Sequence, residues 1–401
     1  MLLRLLLLLF SPLFFWSDGT FSAKKMAEID NQNQKNVQER TPQYKAEKDT
    51  FQTLKLMFAG DIMSQLSQIE AGEIGGGRYD YTPCFQYVKP ILETADVAIG
   101  NLECTLPGNP PYTGYPCFKS PEQLAKALKI NGFDLLVTAN NHALDAGLSG
   151  LNQTNKTIRD VGFLQTGTFA NSDKKRLLYP LIFYKNGFKI ALLNYTHHTN
   201  SIPIPAPSIV NKLDLKQIKT DIAEARRMKP DLIITFLHWG IEYDLNENSE
   251  QREVAKQIHI AGSHLVIGGH PHVVQPIKNE HITLGGKTYD FLTAYSLGNF
   301  ISSQPYPNTE GGIIFEVNLR KENGRVTLDN YHYIPVLRYT PFEQGKLKYY
   351  VLPISPFEGD PDLLKMPNDE REKMTAFAAK MRKHLNRFGV TEHKFDKTLF
   401  K

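Results

Sequence analysis

Residues that can bind metals or transfer protons stand directly after five apolar runs of this sequence. They are Asp61, Asn101 with Glu103, Asn141 with His142, His238, and His270 with His272. Ligands of open α/β sheets bind beyond the carboxyl ends of the strands, so residues far apart in sequence can meet there. Each residue taken singly also fits a turn, a helix cap or a packed histidine. Their joint occurrence after strand-like runs favours one shared site.

The side-chain types in this set predict a site for divalent first-row metal ions. Imidazole, carboxylate and amide oxygen together suit Mn²⁺, Zn²⁺ or Fe²⁺, and no cysteine is among the residues. One or two ions are expected, because one carboxylate can bridge an ion pair that turns a bound water into a nucleophile. His142 would protonate a leaving group, and Asp145, three residues later, would orient the imidazole. The neighbouring His197 and His198 are expected to be exposed loop residues, with a place in the cleft as the alternative.

The elements that must position these residues are short strands alternating with amphipathic helices. Apolar runs that predict buried strands occupy residues 54–59, 95–100, 134–139, 231–237 and 264–268. Apolar residues at helical spacing predict helices at 215–228 and 254–261. Asn186-Gly187 between two apolar runs predicts a β-hairpin. The alternation indicates a layered α/β fold with a partly parallel sheet.

The composition is that of a globular protein without a nucleic-acid partner. Of the 401 residues, 41% are hydrophobic and 22% are charged, which excludes a mainly disordered chain. The formal net charge of +4 is small and scattered, so nucleic acid is not expected as a ligand. The three cysteines, Cys84, Cys104 and Cys117, are an odd number, which leaves at least one thiol unpaired within the chain.

The N-terminal residues predict export. Residues 1–22 read as a signal peptide, because Arg4 precedes an apolar run that ends at Trp16 and small residues follow. This run is shorter than the roughly 20 residues that span a bilayer, although an uncleaved N-terminal anchor is the alternative. Residues 23–50 are polar and predict a flexible linker. The mature protein is therefore expected to be periplasmic or associated with the cell envelope.

Two further segments complete the predicted domain organisation. Residues 51–320 carry all the chemical groups described above and are expected to form the main domain. Residues 321–401 are expected to form a C-terminal strand and helix extension.

Six motifs occur in one order along the main domain. They are Gly-Asp-Ile-Met at 60–63, Gly-Asn-Leu-Glu at 100–103, Ala-Asn-Asn-His-Ala-Leu-Asp at 139–145, His-Trp-Gly-Ile-Glu-Tyr at 238–243, Gly-His-Pro-His at 269–272 and Ser-Leu-Gly-Asn-Phe at 296–300. Together they resemble the bacterial poly-γ-glutamate capsule-biosynthesis family (CapA-like proteins), which is itself similar to the calcineurin-like metallophosphoesterases. The resemblance implies a four-layer α/β/β/α sandwich of two mixed sheets.

The resemblance also implies roles for individual residues. The metal-binding positions of the superfamily fall on Asp61, Glu103, Asn141, His238, His270 and His272. Glu103 lies where the superfamily has a bridging aspartate, and His142 matches its acid–base histidine. Met63 stands where the first motif of the superfamily has a histidine. Because a thioether is a poor ligand for a hard divalent ion, weaker binding or a single ion is implied.

Two functions follow from these residues and from the resemblance. The first is a metal-dependent hydrolase that acts on a phosphoester or amide bond of an envelope polymer. The alternative is a non-catalytic component that binds polymer or assists assembly in a capsule synthesis and export complex. Either function implies an anionic envelope polymer or its precursor as ligand, and a membrane synthase or exporter as partner.

Overall fold

The computed structural model describes residues 51–284, 286–360 and 362–400. The predicted signal peptide at residues 1–22 and the predicted linker at residues 23–50 lie outside these residues. Within the described residues, no helix combines the length and the hydropathy that a membrane span requires.

The apolar runs of the sequence form strands, because each run buries side chains on the faces of a sheet. All five predicted buried strands are confirmed, with ends that differ by a few residues. In chain order the strands are β1 (Phe51–Ile62), β2 (Val97–Leu102), β3 (Leu135–Val137), β4 (Leu164–Thr166), β5 (Thr168–Phe169), β6 (Leu181–Lys185), β7 (Phe188–Thr196), β8 (Ile209–Val210), β9 (Leu232–His238), β10 (Leu265–Gly269), β11 (Ile277–Leu284), β12 (Lys287–Ala294), β13 (Asn299–Ile301), β14 (Gly311–Glu322), β15 (Arg325–Tyr339), β16 (Phe342–Glu343), β17 (Lys346–Leu347), β18 (Tyr350–Pro353) and β19 (Thr391–Glu392).

The helices lie between these strands and follow the amphipathic segments of the sequence. In chain order the α-helices are α1 (Leu66–Gly72), α2 (Lys89–Leu92), α3 (Gln123–Ile130), α4 (Gly147–Val161), α5 (Ser172–Leu178), α6 (Leu215–Arg227), α7 (Ser249–Ala261), α8 (Ile354–Gly359) and α9 (Asn368–Asn386). Short 3₁₀ helices occupy Thr82–Phe85 and Lys397–Phe400. The Asp214 side chain accepts backbone N–H groups at the start of α6, and Gly262, with φ 122°, ends α7.

Most strands belong to two mixed sheets. The first sheet has the order β18-β15-β14-β1-β2-β3-β4, with β13 paired to β1 and β19 to β15. The second has the order β11-β12-β10-β9-β7-β6. In the first sheet β1 to β4 are parallel and reach one edge, while β14, β15 and β18 form antiparallel pairs on the other side. In the second sheet the parallel strands lie in the middle, and an antiparallel pair flanks them on each side. The predicted hairpin is confirmed as β6–β7, and positive φ angles at Asn186 and Gly187 suit its tight turn.

Alternate residues of the strands face different apolar clusters, and this alternation produces four layers. In β1, Leu56 and Phe58 belong to a cluster shared with β7 and β9, so this cluster lies between the two sheets. Met57 and Ala59 point the other way, into a cluster that contains the apolar face of α3. A third cluster packs α6 and α7 on the outer face of the second sheet. The expected α/β/β/α sandwich of two mixed sheets is confirmed.

Residues beyond 320 continue the first sheet and its core. β14 extends past residue 320 and pairs with β15, which in turn pairs with β18 and β19. Met374 and Phe377 of α9 lie in the cluster between the sheets. Arg382 of α9 forms ion pairs of 2.7 Å with Glu358 and 2.6 Å with Glu392, which tie α9 to α8 and β19.

The three cysteines are all free thiols. Cys84 and Cys104 are buried, and burial raises the pKa of both thiols. A buried thiol with a raised pKa stays protonated and unreactive, so these two side chains act as small apolar residues.

Candidate metal centre

The strand ends that carry the predicted residues meet where the two sheets face each other. In the first sheet, Asp61 lies near the end of β1, Glu103 follows β2, and Asn141 follows β3. In the second sheet, β9 ends on His238, and β10 leads directly into the loop of His270 and His272. All six side chains are buried. Strands from both sheets are therefore needed to assemble this centre.

Asp61, Glu103 and His272 form the first group of potential ligands. Their ligand atoms all lie within 4.8 Å of one another. His272 Nδ1 is 3.2 Å from Asp61 Oδ2, and His272 Nε2 is 3.9 Å from Glu103 Oε1. The group thus combines two carboxylates with one imidazole, a set that suits a divalent cation.

Glu103, His238 and His270 form the second group, and their ligand atoms also lie within 4.8 Å of one another. His238 Nε2 is 3.4 Å from Glu103 Oε1 and 2.7 Å from Asn141 Oδ1. The rings of His238 and His270 have centroids 4.8 Å apart. Glu103 is common to both groups, so its carboxylate is near His272 of the first group and near His238 and His270 of the second.

The polar atoms of this centre include buried groups without hydrogen bonds. Both carboxylate oxygens of Glu103 and Nδ1 of His270 are buried and have no hydrogen-bond partner. A buried carboxylate in this state carries a desolvation cost of several kcal/mol, which a bound cation would offset. The residues present therefore fit a divalent metal ion.

Two asparagines orient the potential ligands. Asn101 Nδ2 donates to Asp61 Oδ1 at 2.7 Å and lies 3.1 Å from His238 Nδ1. Asn299 Nδ2 donates to Gln304 Oε1 at 2.8 Å, so its Oδ1 is left to accept from His272 Nδ1 at 3.1 Å. This bond directs Nε2 of His272 away from Asn299 and towards Glu103, where the neutral form of the ring would bind an ion.

The pKa shifts in the centre follow from burial and from the short distances between charges. Burial raises the pKa of Asp61, but the hydrogen bond from His272 and the charges of His238 and His272 outweigh it, so the net shift is downward. Burial and the neighbouring histidines lower the pKa of His270 well below its ordinary value, which keeps it in the neutral form that binds metals. Burial lowers the pKa of His272, yet Glu103 and Asp61 raise it overall to about 9.

His142 and Asp145 form a pair beside the two groups. His142 Nδ1 lies 2.7 Å from Asp145 Oδ2, which also accepts the backbone N–H of Phe118 at 2.6 Å. The Phe118 ring packs on the imidazole, with centroids 4.4 Å apart. The carboxylate therefore holds the orientation of the imidazole. Neither residue belongs to the ligand groups.

The two histidines after β7 differ in position. His197 is exposed, with Nε2 3.9 Å from Glu250 Oε1. His198 is half-buried, and its ring centroid is 5.1 Å from that of His270. His198 is thus less exposed than expected and lies beside His270. Burial and the charge of His238 lower its pKa.

Met63 lies away from the ligand groups. Its side chain is buried in the apolar cluster on the α3 side of the first sheet. The first group consequently receives no ligand from this position, as the sequence implies.

The candidates drawn from the sequence include Asn101 but neither Glu242 nor Asn299. Glu242 is exposed, and its carboxylate lies within 4.8 Å of ligand atoms of both His270 and His272. Both residues fall inside the quoted motifs, at 238–243 and 296–300. Their place in those motifs was the signal that could have identified them.

Comparison with known proteins supports a family assignment. The "PGA biosynthesis protein CapA" of Bacillus subtilis (strain 168) is 29% identical over 289 residues, which are 70% of this chain and 71% of that protein. The "Capsule biosynthesis protein CapA" of Bacillus anthracis is 29% identical over 288 residues, which are 69% and 66% of the two chains.

Solved structures with a similar fold share little sequence with this chain. The calcineurin-like phosphoesterase YfkN of Bacillus subtilis is 12% identical with a TM-score of 0.45, over 84% of this chain and 99% of that chain. The NAD nucleotidase NadN of Haemophilus influenzae is 12% identical with a TM-score of 0.47, over 87% and 66%. Similarity at this level carries no information about substrate. Residues 55–304 match the sequence profile described as "Bacterial capsule synthesis protein PGA_cap", and this chain therefore belongs to that family.

Proposed function

We propose that this protein is an exported, metal-dependent hydrolase of capsule polymer biosynthesis. The observation that carries the proposal is the carboxylate of Glu103, which is buried without a hydrogen bond near histidines of both ligand groups. A divalent cation would neutralise this charge more directly than His238, 3.4 Å away, or His272, 3.9 Å away. The neighbouring side chains are of the types that bind first-row divalent metals. The bond to be hydrolysed is a phosphoester or an amide.

Each part of the centre has a separate role in this proposal. Asp61, Glu103 and His272 would hold one divalent ion, and Glu103, Asn141, His238 and His270 would hold a second one. A bound ion of this kind polarises a substrate oxygen and acidifies a water. His142, held by Asp145 through a 2.7 Å contact, would give a proton to the leaving group. Mn²⁺, Zn²⁺ and Fe²⁺ all suit this mixture of ligands.

The names of the relatives support the substrate class and the place of action. One relative is named for PGA biosynthesis and another for capsule biosynthesis. We infer an anionic envelope polymer, such as poly-γ-glutamate, or its precursor as the ligand, and a membrane synthase or exporter as the partner. The signal-peptide pattern of residues 1–22 supports an exported protein associated with the periplasm or cell envelope.

The test combines metal analysis with hydrolysis. The purified chain is stripped with a chelator, reloaded with Mn²⁺, Zn²⁺ or Fe²⁺, and analysed for bound metal. Hydrolysis of bis(p-nitrophenyl) phosphate and of γ-glutamyl-p-nitroanilide is then measured for the wild type and two variants. His270→Ala should lose metal and turnover, whereas His197→Ala, which changes an exposed histidine near the same cleft, should retain both. A wild type with no metal, and with turnover no higher than that of His270→Ala, contradicts the proposal.

A non-catalytic polymer-binding protein is the second candidate function. It is favoured by one observation, the burial of Met63 in an apolar cluster where it provides no ligand. Binding to a polyanion weakens as salt screens the charges. Affinity for polyglutamate that falls with salt, in a chain that shows no turnover, would favour this candidate. Affinity that is absent or independent of salt would remove it.

A further inference from the structure

We propose that Glu242 is an additional metal ligand, which supplies from the open side of the centre the ligand that Met63 does not provide. This inference rests on the proposed metal site and extends it. Glu242, His270 and His272 form a third group of potential ligands, with ligand atoms all within 4.8 Å of one another. Both imidazoles also belong to the groups around Glu103. Two carboxylates, one buried and one exposed, are thus within reach of the same pair of histidines.

The loop that carries Glu242 is tied to the loop of the two histidines. Trp239 N–H donates to Gly269 O at 3.1 Å, and Tyr243 N–H donates to Pro271 O at 2.8 Å. Tyr243 also packs beside His272, with ring centroids 6.2 Å apart. These contacts on either side of Glu242 hold its backbone in place, so the carboxylate does not reach the imidazoles through a freely moving loop.

The number of side chains in each of the two groups that contain Glu103 indicates which ion Glu242 would bind. The group of Glu103, His238 and His270 has Asn141 as a fourth side chain, because Asn141 Oδ1 lies 2.7 Å from His238 Nε2. The group of Asp61, Glu103 and His272 also has an amide neighbour, but Asn299 Oδ1 contacts Nδ1 of His272, whereas Nε2 of that ring faces Glu103. Glu242 is within reach of His272 and would complete this first group.

The polar atoms around Glu242 support a bound cation over a solvated surface acid. His270 is 4% exposed, and its Nδ1 has no hydrogen-bond partner. The Glu242 carboxylate lies within 4.8 Å of a ligand atom of this imidazole. A divalent cation would bind both groups at once. Three carboxylates with imidazoles form an oxygen-rich set, which suits a hard ion such as Mn²⁺.

The experiment measures Mn²⁺ binding to the full chain by isothermal titration calorimetry, with bound metal counted by elemental analysis. Glu242→Gln removes the charge and keeps the size of the side chain. Glu250→Gln is the matched control, because Glu250 is also exposed and lies in the first turn of the nearby helix α7. We expect Glu242→Gln to weaken one Mn²⁺ binding step at least about 10-fold or to lose that step, and Glu250→Gln to bind as the wild type does.

The outcomes separate this inference from the proposed function. If the wild type binds Mn²⁺ and Glu242→Gln binds it with the same affinity and number of ions, the role of Glu242 is overturned and the metal site stands. If the wild type binds no ion, both are overturned. A loss shared equally by Glu242→Gln and Glu250→Gln would indicate general surface charge, which also overturns the specific role of Glu242.

Discussion

Replacing Gly269 by alanine tests whether Asp61 is held in place for an ion. Gly269 is the last residue of β10 and directly precedes His270. A Cβ at this position would lie 2.5 Å from Asp61 Oδ1 and 3.4 Å from Asn101 Nδ2. Because a Cβ atom rarely approaches a non-bonded oxygen within about 3 Å, the carboxylate would have to move by roughly half an ångström or more.

The size of the effect follows from the bonds that hold the carboxylate. Asp61 accepts from Asn101 Nδ2 at 2.7 Å and from the backbone N–H of His270 at 3.0 Å. A hydrogen bond to a charged group contributes about 1.5–3 kcal/mol, and overpacking a buried site costs about 1–3 kcal/mol. We therefore expect Gly269→Ala to lower the free energy of unfolding by about 2 kcal/mol. Because a displaced ligand binds poorly, affinity for Mn²⁺ should fall by about 10–100-fold.

Urea unfolding in the presence of a chelator measures the first effect, and calorimetric titration with Mn²⁺ measures the second. Gly359→Ala is the matched control, because a Cβ on Gly359 meets nothing within 4 Å. It should leave both quantities near their wild-type values. If Gly269→Ala matches the wild type in stability and in Mn²⁺ affinity, then the carboxylate of Asp61 is not confined as described, and its role in the first ligand group fails.

Three further perturbations test separate parts of the protein. Asp145→Asn should leave the amount of bound metal unchanged but lower kcat about 100-fold or more, because His142 loses the carboxylate that orients it. A variant with the kcat of the wild type would exclude a catalytic role for the His142–Asp145 pair. Removing metal with a chelator should lower the free energy of unfolding by about 2.7 kcal/mol, relative to a sample in which the free metal concentration is 100 times Kd. An unchanged thermal midpoint would count against a bound ion. Burial lowers the pKa of His259 from 6.5 to about 4, so the folded state resists protonation while the unfolded state accepts it. The contribution of His259 to the free energy of unfolding should therefore be fully present above pH 6.5 and fall by about 3 kcal/mol as the pH is lowered towards 4. Urea unfolding at a series of pH values should show a smaller fall for His259→Gln. Identical pH profiles for the variant and the wild type would refute this role of His259.

The sequence was informative where a long apolar run ends in a polar residue. β9 and β10 coincide with largely apolar runs of the sequence, so these runs alone predict where the strands lie and which polar residues stand at their ends. Parallel strands bring their carboxyl ends to one edge, which is why His238 and His270 could be expected to meet. The family resemblance then added the four-layer arrangement, which strand patterns do not specify.

Residues placed by loops and short strands could not be located in this way. β13 has three residues, too few to show a period, yet its parallel pairing with β1 puts Asn299 opposite Asp61. Glu242 reaches the centre because Tyr243 N–H bonds to Pro271 O, a contact between residues 28 positions apart that no local pattern encodes. The position of His198 likewise depends on a contact between distant residues, the backbone bond of 2.9 Å from His197 N–H to His238 O.

The backbone of the histidine loop shows that the centre is arranged by the fold itself. His270 has φ 95° and His272 has φ 60°, in a region that residues other than glycine rarely adopt. Such conformations cost about 1–3 kcal/mol each and persist only where the surroundings hold them. Here Asp61 Oδ2 accepts the backbone N–H of His270 at 3.0 Å, and Asn299 Oδ1 accepts from the ring of His272. Since Asp61 both holds this loop and belongs to the first ligand group, a change at Asp61 should disturb the histidines as well as remove a ligand. The histidines are thus positioned by the folded chain, and the binding of an ion does not have to arrange them.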